Sequence, residues 1–129
     1  MAKILRDIWI LTESGLTIFS RVIDQKVGSQ VFGGLMSALN TFAETLAEGG
    51  ISNFELSSIR FIVEKKNHFL FVANSSNDVK IKKALNELKN VSKKFFKVYP
   101  EEILNNFSIN IKVFADFEKH ITDSLVELF

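Results

Sequence analysis

The stretch NFELSSIRFIVEKKNHFLFVANSSNDVKIKKALNELKNVSKKFF, Asn53 to Phe96, changes its hydrophobic period once, and that change decides the fold class. Asn53 to Ser57 alternates, with Phe54 and Leu56 on one face, as a half-buried strand does. Ile59 to Glu64 and His68 to Ala73 are almost continuously apolar, the pattern of strands covered on both faces. Lys65-Lys66-Asn67 reads as the polar hairpin connection between them, and Asn74 to Asn77 as a loop with capping residues. From Asp78 to Tyr99 the period becomes helical. Ile81, Ala84, Leu85, Leu88, Val91, Phe95, Phe96 and Tyr99 occupy under half of the helical wheel, and lysines fill the remainder with Glu87 as the one acid.

Upstream, Ile8 to Thr12 is bulky and β-branched and stops at Glu13-Ser14-Gly15, where glycine permits a tight turn. Leu16 to Ile23 returns as a second strand. In SQVFGGLMSALNTFAETL, Ser29 to Leu46, the residues Val31, Phe32, Leu35, Leu39, Phe42, Ala43 and Leu46 recur at three and four, predicting one apolar helix stripe. Ser29 is the expected N-cap and Gly49-Gly50 the stop. Pro100 to Phe107 predicts a short helix with Glu101 and Glu102 in its first turn. Phe114, Phe117, Ile121, Leu125 and Leu128 predict a terminal helix. The expected architecture is α+β: a five-stranded antiparallel sheet between helices, in the order strand, strand, helix, three strands, then two or three helices. Residues 1–129 read as a single domain, with no repeat or linker.

Composition excludes several classes of function. A formal net charge of +1 gives no global pull toward nucleic acid. Without cysteine there is no thiol nucleophile or disulfide framework. No apolar run approaches the ~20 residues needed to span a bilayer, and the apolar run at Ile8 to Leu11 is too short for a signal peptide. A cytoplasmic protein is therefore expected. The thirteen phenylalanines, beside one Trp and one Tyr, are expected in the core.

No catalytic or cofactor-binding constellation emerges. Gly33-Gly34 lacks the spacing and the following Lys-Ser/Thr of a phosphate loop, and it lies inside the helix. His68 and His120 have no ligand-spaced partners, so no metal is expected. Glu101-Glu102 is accounted for by helix-start preference, and no G-x-S-x-G elbow occurs. Two glycines in a helix cost about 2 kcal/mol relative to alanine, which implies a use for the missing side chains. Gly33, Gly34, Ser37 and Ala38 form a small-residue patch where a partner, or the protein's own sheet, could approach closely. Leucine at both glycines is expected to weaken self-association through that patch. Lys82, Lys83, Lys89, Lys93 and Lys97 form a second candidate surface, either a solvated helix back or a basic face for anionic lipid or an acidic partner. No aromatics interleave with them, which argues against nucleic-acid binding by base stacking.

IWILTESGLTIFSRV (Ile8 to Val22), the helix after it, and above all Asn53 to Phe96 resemble the longin-like family, which includes longin SNARE N-terminal domains, sedlin-type tethering subunits and clathrin-adaptor small chains. Adaptor small chains show a similar short F-x-E-F/L strand, an apolar strand, a basic turn and an L-(Y/F)-F strand before a long helix. VFADFEKHITDSL, Val113 to Leu125, is similar to that group's terminal helix. Roadblock-type GTPase regulators share the architecture but usually begin with a helix. No heptad SNARE segment is present, so a stand-alone module is expected, of a kind found in eukaryotes and in archaea rich in small GTPases.

The resemblance implies a non-enzymatic platform that dimerises, with itself or with another longin or roadblock domain. The pair would bind or regulate a small GTPase in a vesicle-trafficking-like system, with peripheral membrane association as a further implication. The alternatives are a small-molecule sensor of profilin/PAS-like architecture and a roadblock-type regulator.

Overall fold

The computed structural model describes residues 4–57, 59–106 and 111–126. The elements follow in the order β1 (Ile8–Thr12), β2 (Thr17–Arg21), α1 (Ser29–Leu46), β3 (Asn53–Leu56), β4 (Ile59–Lys66), β5 (Phe69–Ser76), α2 (Ile81–Val98) and α3 (Glu101–Asn106). Two 3₁₀ segments, Ile111–His120 and Thr122–Ser124, complete the described chain. The strands form one antiparallel sheet in the order β2-β1-β5-β4-β3. The crossover through α1 carries the chain from one edge to the other, so β3 becomes the far edge and β5 the centre.

Period-2 side-chain alternation gives the sheet two apolar faces. Ile8, Ile10, Ile62, Phe71 and Ala73 point toward α2 and the first 3₁₀ segment. Trp9, Leu11, Phe61, Val63, Leu70 and Val72 point toward α1. The α2 side is organised around Phe95, which is fully buried with six aromatic neighbours: Phe69, Phe71, Phe96, Tyr99, Phe114 and Phe117. On the α1 side Trp9 stacks on Phe32 at 4.0 Å, and Phe61 on Phe54 at 4.8 Å.

Several predicted boundaries move for local reasons. The β4–β5 connection is a two-residue turn, Asn67-His68, with both φ values positive (51° and 69°). That is the pattern of hairpin turns whose twist matches the strands. Lys65 and Lys66 therefore belong to β4 and not to the loop. Gly28, not Ser29, stands at the N-terminal cap of α1, and no side chain caps it. The carbonyl of Ser29 instead accepts a hydrogen bond from Thr17 Oγ1 at 2.7 Å. Helix α1 ends at Leu46, ahead of Gly49-Gly50, both of which adopt positive φ in the loop that follows.

The predicted terminal α-helix is a 3₁₀ segment. Phe114 and Phe117, both fully buried, are spaced by three, the repeat that lines up along a 3₁₀ turn. Phe107 and Leu128 lie outside the described residues.

The largest correction concerns α1. Its sheet-facing residues are Phe32, Gly33, Met36, Leu39 and Asn40, whereas Val31, Leu35, Phe42 and Leu46 of the predicted stripe face outward. The reason is a close backbone approach. A Cβ at Gly33 would stand 2.5 Å from the Gly15 carbonyl oxygen and also collide with Thr17 Oγ1. Gly15 has φ +99°, and a Cβ there would meet Gly34 Cα at 3.1 Å. The β1–β2 turn and the helix thus touch backbone to backbone, and that contact sets the rotation of α1.

Candidate interaction surface

The rotation of α1 leaves a second apolar face on the helix. Val31, Leu35, Phe42 and Leu46 are 69%, 62%, 63% and 71% exposed. Four large apolar side chains on one face of an 18-residue helix exceed the scattered single exposures normal on a protein surface. Among the described phenylalanines Phe42 alone is exposed; the others are buried or half-buried. The chemistry of the face is uniform: Glu44 is the only charged residue in α1.

Gly34 and Ala38 also face outward, between those side chains. Nothing lies within 4 Å of where a Gly34 Cβ would stand. Gly33 is buried against the β1–β2 turn, so it seats the helix on its own sheet. Ser37 is half-buried and donates a hydrogen bond to the Glu13 carbonyl. The four small residues picked out in the sequence therefore divide, with Gly33 and Ser37 toward the protein and Gly34 and Ala38 away from it.

The exposed face continues onto β3. Leu56 is 58% exposed, and an open groove lined by Trp9, Val27, Phe32, Leu35, Leu56 and Phe61 joins the strand to the helix. The two sheet edges differ. At β2 the Gln30 side chain acts as a substitute strand, accepting from Thr17 N–H at 3.0 Å and donating to the Thr17 carbonyl at 2.9 Å. Phe117 packs edge-on against Phe19 at 5.4 Å, and Arg21 donates to the carbonyls of Arg6 and Val126. Among the described residues no strand pairs with the outer side of β3. An unpaired edge of this kind is a template for another chain.

The charged residues at the near end of α1 form a clip. Lys65 Nζ lies 2.8 Å from Glu13 and 2.9 Å from Glu44, and His68 Nδ1 lies 2.9 Å from Glu13. The clip joins the β1–β2 turn, α1 and the β4–β5 hairpin. Hydrogen bonding from Lys65, then from His68, holds the Glu13 carboxyl below its ordinary range, and the two carboxylates push the Lys65 ammonium up.

A carboxyl with a lowered folded-state pKa contributes stability above its unfolded pKa, and that contribution fades as pH falls through the folded value. Wild type should therefore be slightly more heat-stable than Glu13→Gln at neutral pH, and melting curves for the two should converge in the acid range below the ordinary carboxylate pKa. A constant gap down to low pH would show that Glu13 acts through packing and not through its charge. Sequence reading missed this clip because its members lie far apart in the chain.

His120 stacks on Phe117 with ring centroids 6.2 Å apart. Among the described residues no group of three His, Asp or Glu is placed to hold a metal ion. Glu101 and Glu102 lie in the first turn of α3. Lys82, Lys83, Lys89, Lys93 and Lys97 are all exposed on the outer side of α2, across the sheet from α1. No helix among the described residues is long and apolar enough to cross a membrane.

The two-faced five-stranded sheet with a helical crossover to its far edge defines a longin/roadblock-type domain. Within that class, the chain belongs to the family described as the first longin domain of FUZ, MON1 and HPS1, which matches residues 6–122. Among curated proteins none matches the sequence.

The fold is shared with solved structures at low sequence identity. A roadblock/LC7 domain from Streptomyces avermitilis is 15% identical, with a TM-score of 0.57 over 74% of this chain and 85% of that one. Myxococcus xanthus MglB is 13% identical, with a TM-score of 0.56 over 73% and 85%. A gliding protein, MglB from Thermus thermophilus, is 14% identical, with a TM-score of 0.50 over 71% and 73%.

Proposed function

We propose that residues 1–129 act as one non-enzymatic longin-type platform that pairs with a second copy of itself through the outer face of α1 and the open edge of β3. The pair then binds and regulates a small GTPase in a trafficking-like system. The observation that carries the pairing is the outward apolar stripe of α1, continuous with Leu56 on an uncovered strand edge. A two-fold interface brings each patch against its own copy. A stripe without outward charge meets itself with no like-charge repulsion, and Gly34 and Ala38 leave room for two helices to approach closely. Pairing β3 with β3 would also extend the sheet and satisfy the open backbone groups. The GTPase half of the reading rests on family membership and on the resemblance described above.

Leu35→Asp and Phe42→Asp test the pairing. Sedimentation equilibrium should show a dimer for wild type, and each variant should weaken it by about 30-fold or more, the loss of an interface hot spot of at least about 2 kcal/mol. Both side chains are exposed, so the circular dichroism spectrum and the melting temperature of the monomer should change little. A wild type that stays monomeric at the highest attainable concentration would refute self-pairing. The GTPase half is tested by recovering small GTPases loaded with GDP or a GTP analogue. Nucleotide-dependent recovery by wild type, reduced in Phe42→Asp, is the expected result, and recovery indifferent to nucleotide counts against regulation.

A further inference from the structure

Charge in this protein is sharply segregated. Helix α2 carries six of the chain's sixteen lysines and arginines (Lys82, Lys83, Lys89, Lys93, Lys94 and Lys97) and one of its fifteen acids, Glu87. The rest of the chain therefore has ten basic and fourteen acidic residues, and the near-neutral total conceals a basic helix on an acidic body. Glu87 is engaged by Ser124 Oγ, which donates to it at 2.5 Å. Among the described residues none of the six α2 lysines makes an ion pair. The face opposite buried Ala84, Leu88, Val91 and Phe95 holds only Lys82, Lys83, Asn86, Lys89, Asn90, Lys93, Lys94 and Lys97. At 1.5 Å per residue it is a strip about 23 Å long from Lys82 to Lys97.

We propose that this strip is a docking face for an anionic lipid bilayer. Three observations choose a bilayer over the other anionic surfaces. The strip has no outward aromatic or aliphatic anchor, which a protein partner's hot spot would need. It has no arginine, so the planar, bidentate recognition of one phosphate or carboxylate is missing, and only mobile point charges on long stems remain. Its charge is confined to one face of a body that is otherwise acidic, which suits a flat partner touching that face alone and disfavours a polyanion that wraps. Juxtamembrane lysines gain from the surface potential of anionic lipid in this additive, undirected way.

Because α1 and α2 lie on opposite sides of the sheet, docking at α2 leaves the α1 stripe and the β3 edge uncovered. Neither event requires the other. Should the chain pair by extending the sheet, both lysine strips would lie on one side and act together.

The test is cosedimentation of the whole chain with vesicles of phosphatidylcholine alone or with added phosphatidylserine. Wild type should sediment only with the anionic vesicles and should be released by salt near 1 M, where the screening length falls to about 3 Å. The triple variant Lys89→Glu, Lys93→Glu, Lys97→Glu should lose at least on the order of 100-fold in partitioning, at about fivefold per lysine charge removed. The charge-preserving variant Lys89→Arg, Lys93→Arg, Lys97→Arg should retain binding. Sedimentation equilibrium of both triple variants should match wild type, which separates failure of this face from failure of pairing. Equal binding to neutral vesicles, no binding to either kind, loss of binding by the arginine variant, or tighter binding to duplex DNA than to anionic vesicles would each overturn the proposal.

Discussion

Phe95→Ala is expected to lower the unfolding free energy by about 3–5 kcal/mol, a large part of the roughly 5–15 kcal/mol that holds a domain of this size together. Phe95 is fully buried on α2, with six aromatic rings at centroid distances between 5.2 and 5.7 Å. Removing the ring deletes its transfer energy and leaves a space that a β-sheet on one side and a 3₁₀ segment on the other cannot both close. The only tryptophan offers a stringent readout. Trp9 belongs to the opposite core, against Phe32 and Met36. If the two layers unfold as one unit, urea titration followed by Trp9 fluorescence and by far-UV circular dichroism should give the same lowered midpoint. A Trp9 transition that stays at the wild-type midpoint while the helical signal melts early would show that the α2 layer unfolds separately.

Gly33→Ala and Gly34→Ala, two neighbours in one helix, are expected to move stability in opposite directions. Alanine at Gly34 meets open space and gains helix propensity, about 0.5–1 kcal/mol of stabilisation. Alanine at Gly33 gains the same propensity but drives its Cβ to 2.5 Å from the Gly15 carbonyl oxygen. Backbone cannot yield as a flexible side-chain end does, so overpacking wins and the net loss is about 1–3 kcal/mol. Thermal melts of the two variants decide the matter, and the same sign for both would mean that α1 is seated differently. Leucine at both glycines would unseat the helix as well as alter its outer face, so the pairing surface is better probed at Leu35 and Phe42.

Much of the fold was legible in the sequence. Strand β1 lies at Ile8–Thr12 as its bulky run predicts, and α2 buries the stripe that contains Ala84, Leu88, Val91 and Phe95. Both signals are local: a run of bulky, β-branched residues in β1 and a period of 3.6 in α2. Helix α1 was legible as a helix but not in its orientation. Val31, Leu35, Phe42 and Leu46 on one side and Phe32, Met36 and Leu39 on the other are all apolar, so periodicity could not choose the inner face. The β4–β5 hairpin was legible, but the pattern puts its turn at Lys65-Lys66-Asn67 and not at Asn67-His68, because the apolar run ends at Val63, three residues before β4 does.

By itself the sequence determined the class of the protein: strand-strand-helix, three strands and helices, with no cysteine chemistry and no phosphate loop, because these follow from residue identity and spacing along the chain. Tertiary structure alone decided which surfaces remain available. The approach of Gly15 to Gly33, far apart in sequence, turned α1 so that Val31, Leu35, Phe42 and Leu46 face outward. The crossover made β3 an open edge, while Gln30 and the first 3₁₀ segment covered β2. Folding also placed the lysine strip and the apolar stripe on opposite sides of one sheet. Exposure is a property of the whole packed arrangement, so no local pattern in the chain encodes it.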